Sequence, residues 1–109
     1  MKKSDVKNIV TKNQAEFNYT VDITNTFKKE FVDCWKQGLD IQLLITAVEI
    51  LAINGKLPAN YRPHKLEGKY KGLWECHIQG DWLLVWLQND TGLTLLLSNT
   101  GSHAYLFGM

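Results

Sequence analysis

Three histidines, His64, His77 and His103, are the residues of this chain best suited to moving protons, and the carboxylate of Asp81 follows the second by four positions. Imidazole titrates near neutrality and both takes and gives a proton. Such a cluster, with a carboxylate beside it, has the groups needed for phosphodiester cleavage. Separations of 13 and 26 residues between the histidines mean that only tertiary structure can bring them together. The same separations match no zinc finger or HExxH pattern, and on a strand the adjacent Cys76 faces the side opposite His77, so no metal site is read here. Composition alone equally accommodates three unrelated histidines, and Asp81, in the pair Gly80-Asp81, has the chemistry of a simple turn residue.

Cations gather just upstream. Lys56, Arg62, Lys65, Lys69 and Lys71 face the single acid Glu67, and no Lys or Arg follows Lys71. A solvated basic loop explains the cluster. So does a phosphate-contacting surface in which Tyr61, Tyr70 and Trp74 offer rings for bases to stack on. With 12 Lys or Arg against 11 Asp or Glu, net +1, the chain as a whole is not drawn to polyanions, and any such site must be local. Cys34 and Cys76 form no CxxC and read as two reduced thiols. The charged opening MKKSDVKNIVTKNQ is not a signal peptide, and no apolar run approaches the ~20 residues of a membrane span, so a cytoplasmic protein without membrane contact is expected.

The elements that must position these groups follow from pattern. With 109 residues, 45% hydrophobic and 21% charged, the chain is one small folded domain. Residues 1–18 are polar and read as an arm or short helix outside the core. Alternation over 19–23 predicts a strand. Thr24 or Asn25 caps a helix carrying Phe27, Phe31, Cys34 and Trp35 and ending at Gly38, and Asp40 caps a second that stops at Asn54-Gly55. The proline-bearing segment 56–63 is a connection. Three runs rich in β-branched and aromatic residues, 70–79, 82–88 and 93–99, separated by short turns, predict an antiparallel meander. Ser102 then caps a last helical turn. The order is that of an α+β domain, a strand and two helices packed on one face of an antiparallel sheet. Trp74, Trp82 and Trp86 read as core or sheet-face residues, and Phe107 as a plug at one end of the core.

Pro63-His64-Lys65-Leu66-Glu67-Gly68, the run from Glu75-Cys76-His77 through Gly80-Asp81-Trp82 to Leu84, and Thr100-Gly101-Ser102-His103 with Leu106-Phe107 are three separated blocks. In order and spacing they resemble the YafQ-like branch of the RelE/ParE toxin superfamily, over about 19–108. The resemblance implies a RelE/ParE-like domain over 19–109. It also implies the toxin of a type II toxin–antitoxin pair, cutting messenger RNA on the ribosome by general acid–base catalysis without metal or other cofactor. By position, His64, His77, Asp81 and His103 match the catalytic groups and Trp82 and Phe107 the supporting aromatics. The implied partners are a cognate antitoxin, the ribosome with its mRNA, and operator DNA only through the antitoxin complex. Two departures stand out. Asn99 occupies the place of the usual arginine before the Thr-Gly-Ser-His block, and the first helix of the domain, from Lys28 to Lys36, is nearly balanced in charge. An alternative reading is a non-cleaving toxin of the same fold acting on another target such as gyrase.

Overall fold

The computed structural model describes residues 1–108; Met109, the last residue of the stretch read as the 19–109 domain, lies outside them. After a first helix α1 (Lys3–Val10) and a 3-10 turn, β1 (Thr20–Ile23) leads into α2 (Asn25–Lys36) and α3 (Ile41–Asn54). The two-residue strand β2 (His64–Lys65) follows, then β3 (Trp74–Gln79), β4 (Trp82–Asn89), β5 (Thr94–Ser102) and a terminal α4 (His103–Phe107). The helical pair starts and stops where its caps direct. Thr24 accepts the Phe27 N–H at 2.9 Å, Asp40 accepts that of Gln42, and Gly55 closes α3 in the left-handed conformation, φ +73°.

The strands form one sheet in the order β1-β5-β4-β3-β2. Strands β3, β4 and β5 are the expected antiparallel meander, but β1 runs parallel to β5, so the sheet is mixed rather than antiparallel. Alternation reveals which residues share a face, and it is blind to the direction of the neighbour. Three boundaries also differ from expectation. The 70–79 run is strand only from Trp74, because Gly68 and Gly72 hold left-handed turns ahead of it. His64–Lys65 pairs with β3 instead of remaining loop, and β5 runs on to Ser102.

The core lies between the helices and one sheet face. Phe27 and Phe31 of α2 and Leu44, Val48 and Leu51 of α3 meet Val21, Cys76, Leu84, Trp86, Leu95 and Leu97 from the strands. Residues 1–18 do not stay outside it. Val6 and Val10, one helical turn apart, are buried as α1 packs on α2 and α3. The segment also closes the sheet edge: the Gln14 side chain donates to the Tyr19 carbonyl at 2.9 Å and accepts the Val21 N–H at 3.0 Å, as a residue of a neighbouring parallel strand would. The next outward N–H, of Ile23, goes to the Asp22 carboxylate, which pairs with Lys7 of α1 at 2.8 Å. Lys7 foremost, then the Ile23 N–H, holds the Asp22 carboxyl below its usual range. Both cysteines are free and buried, and desolvation pushes Cys34 up to about 11 and Cys76 to about 12. Among the described residues no helix is long and apolar enough to cross a membrane.

Candidate active site

Strand alternation decides which groups face the helices and which face away. Along β3, Cys76 is buried in the core, so Glu75 and His77 point to the opposite face. The register of β2 sets His64 opposite Glu75 and Lys65 opposite Trp74, which sends the imidazole to the outer face and the ammonium to the other. The result is a carboxylate between two imidazoles. His64 Nε2 lies 3.7 Å and His77 Nε2 3.9 Å from the same Glu75 oxygen, and Glu75 is only 5% exposed.

Each ring is anchored at its other nitrogen. His64 Nδ1 lies 3.0 Å from the Arg62 carbonyl and His77 Nδ1 3.0 Å from the Gly80 carbonyl. A proton on Nδ1 is donated to the carbonyl, leaving Nε2 as acceptor; a second proton on Nε2 faces Glu75. The Arg62 guanidinium comes within 3.3 Å of His77 Nδ1 as well.

His103 arrives from the other side of the face. Its N–H donates to the Asp81 carbonyl at 3.0 Å, which ties the start of α4 to the β3–β4 turn, and Ser102 caps the helix by accepting from Tyr105 N–H. The His103 ring sits 5.1 Å from Phe107, and Tyr70 meets Phe107 edge-on at 4.9 Å. An open pocket of about 330 Å³ is lined by Leu66, Lys69, Tyr70, Glu75, His103 and Phe107. Glu75 thus touches both histidines of the β2–β3 pair and shares this pocket with the third.

These features, an α+β fold with a histidine-lined cleft at the meander, coincide with a known protein family. A family model described as the bacterial toxin of type II toxin–antitoxin system, YafQ, matches residues 19–108. The chain belongs to the YafQ toxin family. The mRNA interferase toxin YafQ of Escherichia coli (strain K12) is 32% identical over 89 residues, covering 81% of this chain and 95% of that protein. The E. coli DinJ-YafQ toxin-antitoxin complex is similar in structure, with a TM-score of 0.72 at 31% identity over 84% of this chain and 99% of that one. So is a metal-bound toxin from Helicobacter pylori, with a TM-score of 0.74 at 36% identity over 82% of this chain and 99% of that one. The buried helix α1 of this YafQ-family chain precedes the matched stretch.

The residues singled out in the sequence divide into two groups. His103, Phe107 and Lys69 line the pocket, whereas His64, His77 and Arg62 are joined to it only through Glu75, which faces both imidazoles and shares the lining. The Asp81 side chain is exposed and makes no hydrogen bond among the described residues; the backbone carbonyl carries its tie to His103. Trp82 is 3% exposed and its indole N–H donates to Thr100 on the core side. Trp74 stacks on Trp86 at 6.0 Å beneath Lys65, and Lys56 lines a pocket there with Trp74 and Pro63, so this ring and these two cations are turned away from the histidines. Asn99 donates to Glu30 and accepts from Ser98, contacts that turn its amide toward α2. Glu75 was not singled out by residue type. Its signal is positional, two residues before His77 on one strand and so on the same face. Among the described residues, no group of three or more His, Cys, Asp or Glu side chains is arranged to hold a metal ion.

Proposed function

We propose that this chain is the toxin of a type II toxin–antitoxin system, a RelE/ParE-like endoribonuclease that cuts messenger RNA in the ribosome by general acid–base catalysis. The observation that carries the reading is the pair of imidazoles, His64 and His77, on the Glu75 carboxylate, which lines a pocket of about 330 Å³ together with His103. Family membership gives the reaction class, since the E. coli relative is named an mRNA interferase.

The chemistry runs on protein groups. An imidazole Nε2 takes the proton of a ribose 2′-hydroxyl, and the freed oxygen forms a bond to the adjacent phosphorus. The bond from phosphorus to the 5′-oxygen breaks as a second imidazole protonates that oxygen, leaving a 2′,3′-cyclic phosphate and a 5′-hydroxyl. His103, which lines the pocket beside Phe107, is assigned the proton transfer nearest the scissile bond, with His64 and His77 assisting through Glu75. Asp81 acts by holding α4 in place, its carboxylate remaining free for RNA or proton exchange. Lys56, Lys65, Lys69 and Lys71 draw the RNA backbone over a wide surface, and a cognate antitoxin places acidic residues over the same surface. That partner is consistent with the DinJ-YafQ complex among the structural relatives. Operator DNA is reached only through that complex.

Induced expression with primer extension on a reporter transcript tests the reading. Wild type is expected to give codon-phased cuts, and His103→Ala to lose about a hundredfold or more in cleavage while folding and antitoxin binding persist. Growth arrest without cuts would favour the non-cleaving alternative with another target such as gyrase. Cleavage at the wild-type rate by a folded His103→Ala variant would remove His103 from its assignment.

A further inference from the structure

We propose that the Arg62 guanidinium is the group that holds the non-bridging oxygens of the scissile phosphate; this rests on the ribonuclease reading above and names the electrophilic residue of that site. Attack of the 2′-oxygen gathers negative charge on those oxygens, and a positioned cation in a partly desolvated cleft is the strongest way to stabilise it. No Lys or Arg follows position 71, so β4, β5 and α4, which supply His103 and Phe107, bring no cation. Asn99 on β5 is held by Glu30 and Ser98. The Lys and Arg residues nearest in sequence to the histidine strand are those of the 56–71 segment.

Of its five cations, Lys56 and Lys65 belong to the Trp74 side. Lys71 is exposed, and Lys69, which lines the pocket with His103, lies over the Tyr70 ring at 5.2 Å and is the competing cation for this role. Arg62 alone is placed against the histidine pair, with Nη2 3.3 Å from His77 Nδ1. It is the only arginine of the chain, and a planar fork of N–H donors suits two phosphoryl oxygens where an ammonium offers a point charge. Because the Gly80 carbonyl can take the His77 Nδ1 proton, the guanidinium is not needed to satisfy that ring, and its remaining N–H groups have no other hydrogen-bond partner among the described residues.

The backbone supports the assignment. Among the described residues Arg62 is one of two non-glycine residues with positive φ, at +49°, and this left-handed turn presents its carbonyl to His64 Nδ1 while its side chain reaches His77. A single residue therefore orients one imidazole through its main chain and sits against the second through its side chain. Strained backbone of this kind persists where the surrounding structure fixes it, and it gathers at functional sites.

The test measures single-turnover cleavage on mRNA-programmed ribosomes against toxin concentration for wild type, Arg62→Asn, Arg62→Lys, Lys69→Ala and Lys71→Ala. Asparagine tolerates the left-handed backbone, so Arg62→Asn removes the charge while sparing the turn. Arg62→Asn is expected to lower the maximal rate about a hundredfold with half-saturation changed less than about threefold, and Arg62→Lys to recover only part of the loss. Lys71→Ala is expected to move half-saturation alone. A phosphorothioate at the scissile phosphate gives a second readout: wild type should discriminate between its two diastereomers and Arg62→Asn should not. A wild-type maximal rate in Arg62→Asn overturns the proposal and leaves the ribonuclease reading intact, as does transfer of the hundredfold loss to Lys69→Ala. Absence of cleavage by wild type overturns both.

Discussion

At the scale of single residues, burial and hydrogen bonding set the chemistry more than residue type does. Glu30, 3% exposed on α2, accepts the Thr100 N–H at 3.2 Å and the Asn99 side-chain N–H at 3.0 Å where β5 extends past the end of β1. Desolvation raises its pKa, and the Thr100 and Asn99 donors oppose that without cancelling it. A carboxyl raised in the folded state favours folding below its unfolded pKa, and that contribution is lost as pH climbs through the folded value. Glu30→Gln keeps an acceptor for both donors and removes the charge. The variant is therefore expected to melt a few degrees higher than wild type at pH 7, with the gap closing as the pH falls through the raised folded value toward the ordinary glutamate range, measured by calorimetry across that interval. A gap independent of pH would show that the carboxylate is not the cause. The three histidines were legible from their type, whereas Glu75 and the inward turn of Asn99 were not, because both depend on which strand face and edge meet the neighbouring elements. Asp81 adds a contact that residue type does not announce, its backbone carbonyl accepting the His103 N–H while its side chain stays exposed.

Elements owe their ends to a few side chains and backbone angles, and Gly55 shows how tightly. A Cβ built there would fall 2.6 Å from the Tyr19 hydroxyl, in a backbone conformation that already disfavours it. Tyr19 in turn donates to Asp90 at 2.7 Å, and Gln88 donates to the Gly55 carbonyl, so the end of α3, the start of β1 and the β4–β5 turn meet at one point. Gly55→Ala is expected to cost about 2 kcal/mol, roughly 10 °C in Tm. Tyr19→Phe should make that loss smaller when the two are combined, because the contacting oxygen is gone. Additive losses in a double-mutant cycle would rule out this contact as the source. Caps at Thr24 and Asp40 and the stop at Gly55 made both long helices readable from sequence. The path from His64 to Gly72 was not, since two left-handed glycines and a two-residue strand leave no periodic trace.

The whole molecule is held together by a segment that composition alone assigned to the exterior. Val6 is fully buried and Val10 nearly so, and α1 covers the helical layer that backs the sheet carrying the cleft. Truncating Val6→Ala is expected to cost about 2 kcal/mol in urea denaturation while leaving the histidine cleft unchanged. A loss below about half a kcal/mol would mean the helix rides on the domain without supporting it. Charge dominated the reading of residues 1–18 because the apolar stripe is short, and only the fold shows that Val6, Ile9 and Val10 find a surface to cover.

The amide of Gln14 has one more effect. Sheets grow from one chain to the next by hydrogen-bonding at an open rim, and a four-residue outer strand with free N–H and C=O groups is an invitation to do so. Here the Tyr19 carbonyl and the Val21 and Ile23 N–H groups already have partners within the chain. At the opposite rim the two residues of β2 cover Trp74 and Glu75 of β3. A strand from another copy approaching β1 therefore meets donors and an acceptor already taken, and the glutamine that anchors the opening segment also blunts this rim.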